Sequence, residues 1–186
     1  MGADAVEKLD EFSCAALLQQ RRYDPAILPS LEAYVDSQCA EQLYDLECNL
    51  AVLKLYQFHP EKSKASVVAK ILAKALMNLP GTDYLLCTYL LPERSWEESE
   101  LAAVAAVAAQ LEVCAFRSVW TLLEPLSSLL HQIPGFESAL REFVLDTMQI
   151  TYQVICFPPT HPFLPYVAPH LSHISHFQSC FVPGDP

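Results

Sequence analysis

The chain of 186 residues is 52% hydrophobic and 18% charged, a balance that supplies one sizeable core and excludes global disorder. Its formal net charge of −11 argues against an autonomous nucleic-acid binder, because phosphate contacts draw on Lys and Arg. The longest apolar run, Leu101–Ala109, is about half the ~20 residues a membrane-spanning helix needs.

In chain order the pattern is helical. The start, MGADAVEKLDEF, lacks the apolar stretch of a secretion signal, and Val6 stands where a myristoylation signal wants Ser or Thr. A first helix is expected over residues 3–20. Asp24-Pro25 gives a helix cap followed by a proline at the first helical position. Pro29 interrupts, and Leu31, Tyr34 and Val35 restart an apolar stripe. The next helix is expected from Glu41 to Phe58, with Leu43, Leu46, Leu50 and Leu53 in line, closed by Pro60. Val68, Ile71, Leu72, Ala75, Leu76 and Leu79 then mark an amphipathic helix with Lys70 and Lys74 on its other face. Asn78-Leu-Pro80-Gly81 stops it. Thr82-Asp83 opens a short helix closed by Pro92. SWEE, Ser95 to Glu98, reads as a capping box for an Ala-rich helix carrying Leu101, Val104, Ala108 and Leu111. Phe116, Trp120, Leu123 and Leu130 follow with a break at Pro125. After the Pro134-Gly135 turn, a last helix begins near Phe136 with Leu140, Phe143, Val144, Thr147, Thr151 and Ile155 on its buried side.

No segment alternates like a strand between hairpin turns. The fold class is therefore all-α, a HEAT-like or TPR-like stack of helical hairpins without an exact sequence period. After Ile155 the character changes: seven of the fourteen prolines and four of the six histidines fall in the last 31 residues, where Asp185 is the one charged side chain. That tail reads as a disordered segment biased in composition.

Chemistry is scarce. The chain has no glycine-rich phosphate loop, nucleophile elbow, HExxH or EF-hand loop. Glu97-Glu98 and Asp10-Glu11 are carboxylate pairs on helix ends or exposed faces. Cys156 and His161 have no third group to orient them. Seven cysteines, with no CxxC, fit a reduced chain. In the tail, Cys156 and Cys180 are isolated. His170, His173 and His176 would fan over roughly 120° of a helix, so they do not converge on one ion. Lys62, Lys64, Lys70 and Lys74 are the one basic run an RNA could use, and read more simply as a solvated helix face. The expected catalytic, cofactor and metal residues are none.

One stretch is distinctive. YDLECNLAVLKLYQFHP, Tyr44 to Pro60, resembles the subunit k family of eukaryotic translation initiation factor 3. The likeness continues through RYDPAILPSLEAYVDSQ (Arg22 to Gln38), ILAKALMNLPGTDYLLC (Ile71 to Cys87), GFESALREF (Gly135 to Phe143) and ITYQVI (Ile150 to Ile155). The resemblance implies a member of the wider PCI family: HEAT-like hairpins over residues 1–133, the first helix of a winged helix over 134–155, and a non-family tail over 156–186. That tail is expected to come from a retained intron, an alternative exon or a shifted reading frame, leaving the winged helix incomplete and an apolar patch exposed near Phe143 and Ile150. The resemblance also implies a non-catalytic scaffold subunit in the cytoplasm, and in the nucleus as a second compartment. It would pair chiefly with subunit l and reach the small ribosomal subunit through the complex, with no membrane and no direct RNA contact. The alternatives are a helical adaptor of another PCI-type complex and a regulator that binds zinc through its tail.

Overall fold

The computed structural model describes residues 11–151, which contain helices and no strand. Two compact units divide the chain, Met1–Phe136 and Glu137–Pro186. The tail and its histidines lie outside the described residues.

Local chemistry sets the ends of the helices in the first unit. After α1 (Glu11–Arg21), the Asp24 carboxylate accepts from the Ala26 amide at 2.9 Å and starts a 3-10 turn, Pro25–Ile27. Pro29 does not interrupt. It sits in the first turn of α2 (Leu28–Glu41), where a missing N–H costs no hydrogen bond. The helix expected from Glu41 starts later: Gln42 takes φ 57°, ending α2, and Asp45 accepts from the Cys48 amide at 3.0 Å to cap α3 (Leu46–Phe58). Leu43 is accordingly outside the helix and 44% exposed.

α4 (Ala65–Met77) is the amphipathic helix the spacing predicts, except that it stops at Met77 and leaves Leu79 in the turn before Pro80. At its end Gly81 is required, since a Cβ there would lie 2.7 Å from the Asn78 carbonyl oxygen. Asp83 opens α5 (Asp83–Leu90) and accepts from the Tyr44 hydroxyl at 2.9 Å and from the Asn78 side-chain amide at 2.7 Å. Burial first, and the bond to Asp83 second, raise the Tyr44 pKa. The expected SWEE capping box does not form. Ser95 lies inside a 3-10 turn, Glu93–Glu97, and Glu98 is the residue before α6 (Ser99–Glu112), with no side-chain cap. The run ERSWE is itself helical enough to pull Ser95 away from the cap position. Pro125 falls in the 3-10 turn Glu124–Leu126, between α7 (Phe116–Leu123) and α8 (Ser127–Leu130). The buried row there is Val119, Leu123, Leu126 and Leu129, while Trp120 and Leu130 are half-buried. Gly135 turns the chain at φ +87°.

These helices form two layers. α2, α4 and α6 lie side by side in one, α1, α3 and α5 in the other, and the pairs α2–α3, α4–α5 and α6–α7 join them as hairpins. This is the pattern of stacked helical repeats. Lys64 donates to Glu32 at 2.6 Å and Lys70 to Asp36 at 2.8 Å. The partners rise together along both chains, so α2 and α4 run parallel, as equivalent helices of successive repeats do. Leu53 and Leu55 of α3, Ile71, Leu72 and Leu76 of α4, and Leu101 and Leu111 of α6 fill the centre at 0–2% exposure. Each contributes about 1.5–3 kcal/mol by leaving water.

Lys74 departs from expectation. It is 3% exposed and faces the packed side of α4 beside Cys39 of α2, so burial lowers its pKa from 10.5. The same burial raises the Cys39 thiol. Burying an ammonium costs free energy that burying a thioether does not. Lys74→Met is expected to raise stability by about 1 kcal/mol at neutral pH. The unfolded chain binds more protons than the folded one between the lowered folded pKa and 10.5, so the native protein recovers stability as pH rises through that window. The difference between variant and native protein in urea melts should therefore shrink towards pH 10.5. A pH-independent difference would mean that Lys74 is charged and well solvated.

In the second unit α9 (Phe136–Thr151) runs on from Glu137. Arg141 donates to Glu137 at 2.9 Å, one turn away. Leu140, Val144 and Leu145 are buried, and Phe143 and Thr147 half-buried. Thr151 is exposed rather than buried, its hydroxyl donating to the Thr147 carbonyl at 2.7 Å. Ile150 is 89% exposed, where the sequence places an apolar patch. Ile155 lies outside the described residues.

Candidate functional site

The basic run dissolves into the fold. Lys64 is held by Glu32, Lys70 by Asp36, and Lys74 is buried, which leaves Lys62 exposed on the turn before α4. Glu32 is 7% exposed and also accepts from the Tyr56 hydroxyl at 2.6 Å, so one carboxylate ties α2, α3 and the start of α4 together. Of the carboxylate pairs, Asp10 is outside the described residues and Glu11 begins α1, whereas Glu97 and Glu98 are exposed before α6. Cys156 and His161 are likewise outside.

Among the described residues one set of metal-type donors meets. Cys14 of α1, Cys48 of α3 and Asp45 at the cap of α3 hold their ligand atoms within 4.8 Å of one another. Both thiols are fully buried. Contact with Cys14 first, and burial second, push the Cys48 thiol far up, towards its protonated form. A closed tetrahedral zinc site needs a fourth donor, and Asp45 already spends one oxygen on the Cys48 amide. The set packs α1 against α3 as small apolar side chains do. The sequence carries no signal for it, because Cys14 and Cys48 are far apart in the chain and belong to no spaced pair.

Two surface features remain. The first is a row on α5: Leu85 is 46% exposed, Leu86 41% and Tyr89 72%, while Cys87 on the opposite side is fully buried. The second is a groove of about 670 Å³ at one edge of the stack, where ends of α3, α4, α5 and α6 meet. Leu53, Val68 and Leu101 line it deep down, and Glu61, Glu97, Glu98 and Arg94 stand among its polar residues. The apolar density of α5 could have signalled the row, since a helix with apolar residues at 85, 86, 87, 89 and 90 carries more than one buried face can use. The groove has no sequence signal, being assembled from residues 53 to 101 by the stacking itself.

Layered helical hairpins with an exposed apolar row on α5 define a helical-repeat protein. Residues 62–164 match the model of the CSN8/PSMD8/EIF3K family. The chain belongs to that family. It is similar to proteins named eukaryotic translation initiation factor 3 subunit K: 42% identical over 134 residues to that of Nematostella vectensis and 45% to that of Homo sapiens, each alignment covering 72% of this chain and 62% of the relative. The Bombyx mori relative is 40% identical over 149 residues, 80% of this chain and 68% of its own. The chain thus spans a little over three-fifths of the length of most of these relatives. No helix among the described residues is long and apolar enough to cross a membrane.

Proposed function

We propose that the protein is a non-catalytic scaffold subunit of the translation initiation factor 3 complex, working in the cytoplasm. It joins the complex chiefly through subunit l and reaches the small ribosomal subunit as part of that assembly. Its similarity to subunit K proteins supports the complex. The observation that carries the mode of action is the α5 row, since a monomer gains nothing from leaving Leu85, Leu86 and Tyr89 in water. A helical partner laid along this face would bury an aromatic anchor flanked by two leucines. The acidic chain, with Lys64 and Lys70 already paired, favours protein neighbours over RNA. The winged helix that the resemblance implies would begin with α9 and offer a second assembly face.

The test is co-purification of the tagged full chain with initiation factor subunits. Native protein should retain subunit l, and Leu85→Glu/Tyr89→Glu should lose at least about tenfold of it, which is the ~1.4 kcal/mol scale of one lost anchor. Both positions are exposed, so helical content by circular dichroism should not change. Co-purification with a proteasome-lid or signalosome assembly instead, or equal retention by the variant, would refute the proposal.

A further inference from the structure

The groove at the edge of the stack has a chemistry of its own. Leu53, Val68 and Leu101 lie beneath it at no more than 1% exposure, and Tyr56 is buried beside them with its hydroxyl committed to Glu32, so the apolar surface the groove offers to a ligand is that of Leu90, Leu91 and Pro92. Leu90, Leu91 and Pro92 form one wall. The helix dipoles do not set its sign. The C-terminal ends of α3 and α5 and the N-terminal ends of α4 and α6 all converge there, so their partial charges offset one another. Side chains decide. Glu61, Glu97 and Glu98 outnumber Arg94. Glu61 is drawn to His59 at 3.4 Å, but among the described residues no ion pair engages Glu97 or Glu98. Two adjacent carboxylates without an ion pair, beside the apolar wall of Leu90, Leu91 and Pro92, repel phosphate and anionic peptides and attract a cation attached to an apolar side chain. A volume of about 670 Å³ lies in the range of ligand-sized clefts, enough for a few residues of extended chain.

We propose that this groove binds a short segment of a partner protein in which one or two Lys or Arg side chains adjoin a bulky apolar residue. The apolar side chain rests against Leu90, Leu91 and Pro92, and the cations lie along Glu97 and Glu98. The proposal rests on the scaffold reading above and names a second docking mode, separate from the α5 row.

Fluorescence anisotropy of the purified full chain tests it with two labelled peptides, GRLRLG and its acidic counterpart GELELG. The basic peptide should bind, and its affinity should fall as salt rises, since the pairs are partly exposed. Glu97→Lys/Glu98→Lys should weaken it at least about tenfold, the milder Glu97→Gln/Glu98→Gln less, and the control Glu112→Lys, exposed at the opposite end of α6, not at all. Comparable binding of the acidic peptide, an equal loss in Glu112→Lys, or no binding of the basic peptide at millimolar concentration would overturn the groove. Co-purification of the same variants separates the two readings. Native protein that joins the initiation factor yet ignores the basic peptide removes the groove alone. Peptide binding that depends on Glu97 and Glu98, in a protein that does not join the factor, keeps the groove and removes the scaffold role.

Discussion

Gln38→Leu should cost the fold about 2–5 kcal/mol, far more than its loss of one polar group suggests. Gln38 is 1% exposed and Asn49 likewise. The Gln38 side-chain oxygen accepts from the Asp45 amide at 3.0 Å and from the Asn49 side chain at 3.3 Å, and its nitrogen donates to the Asn49 oxygen at 3.2 Å. Removing Gln38 therefore leaves both ends of a buried amide and one backbone N–H without partners. Each costs about 1–3 kcal/mol when it cannot reach water. Replacing both residues, as Gln38→Leu/Asn49→Leu, removes the Asn49 amide too, leaves the Asp45 N–H as the remaining orphan, and should recover at least half of the loss. Urea melts of the two single variants and the double complete the cycle. Simple additivity would mean that water reaches the pair. The physical point is that this pair locks α2 to α3 at the helix start that Asp45 caps, so it specifies a junction more than it adds stability.

Leu72→Ala carries the other large effect. Leu72 is fully buried in α4, the helix that touches α2, α3, α5 and α6. Its rigid surroundings on several sides should collapse poorly around a cavity, which places the loss at about 2–5 kcal/mol. For a chain of this size that lowers Tm by roughly 5–15 °C. Leu86→Ala, on the exposed row of α5, should stay within about 0.5 kcal/mol. A small effect at Leu72 would mean that the stack relaxes around α4 instead of holding it fixed.

Much of this was legible in the sequence, and for identifiable reasons. The spacing of Val68, Ile71, Leu72, Ala75 and Leu76 is strictly helical, so α4 is read correctly, and proline and glycine mark the turns at 80–81, 125 and 134–135. The errors arise where an apolar period runs through a boundary. Leu43, Leu46, Leu50 and Leu53 keep helical spacing across the Gln42–Asp45 break, and the left-handed Gln42 carries no glycine to announce it. Lys74 misleads for the opposite reason. A lysine reads as surface, yet its long apolar stem lets it lie between two layers. Ser95 offers a cap that local helical turning pre-empts. The groove and the Cys14–Cys48 contact are products of tertiary stacking, so no local pattern foretells them.

The two ion pairs between α2 and α4 have a further consequence. Their partners are 32 and 34 residues apart in the chain, close to the length of a helical-hairpin repeat of ~34 residues. A hydrophobic interface alone is forgiving, since leucines on parallel helices can mesh one notch along with little change in buried area. Glu32 and Asp36 stand one turn apart, and sliding α4 by one turn, about 5.4 Å, would pull Lys64 and Lys70 off their carboxylates together and strand Glu32 half-inside. The charges thus act as an index mark between neighbouring repeats. They select one phase of the stack out of several that the core would tolerate, and so determine which residues end up side by side on its outer surface.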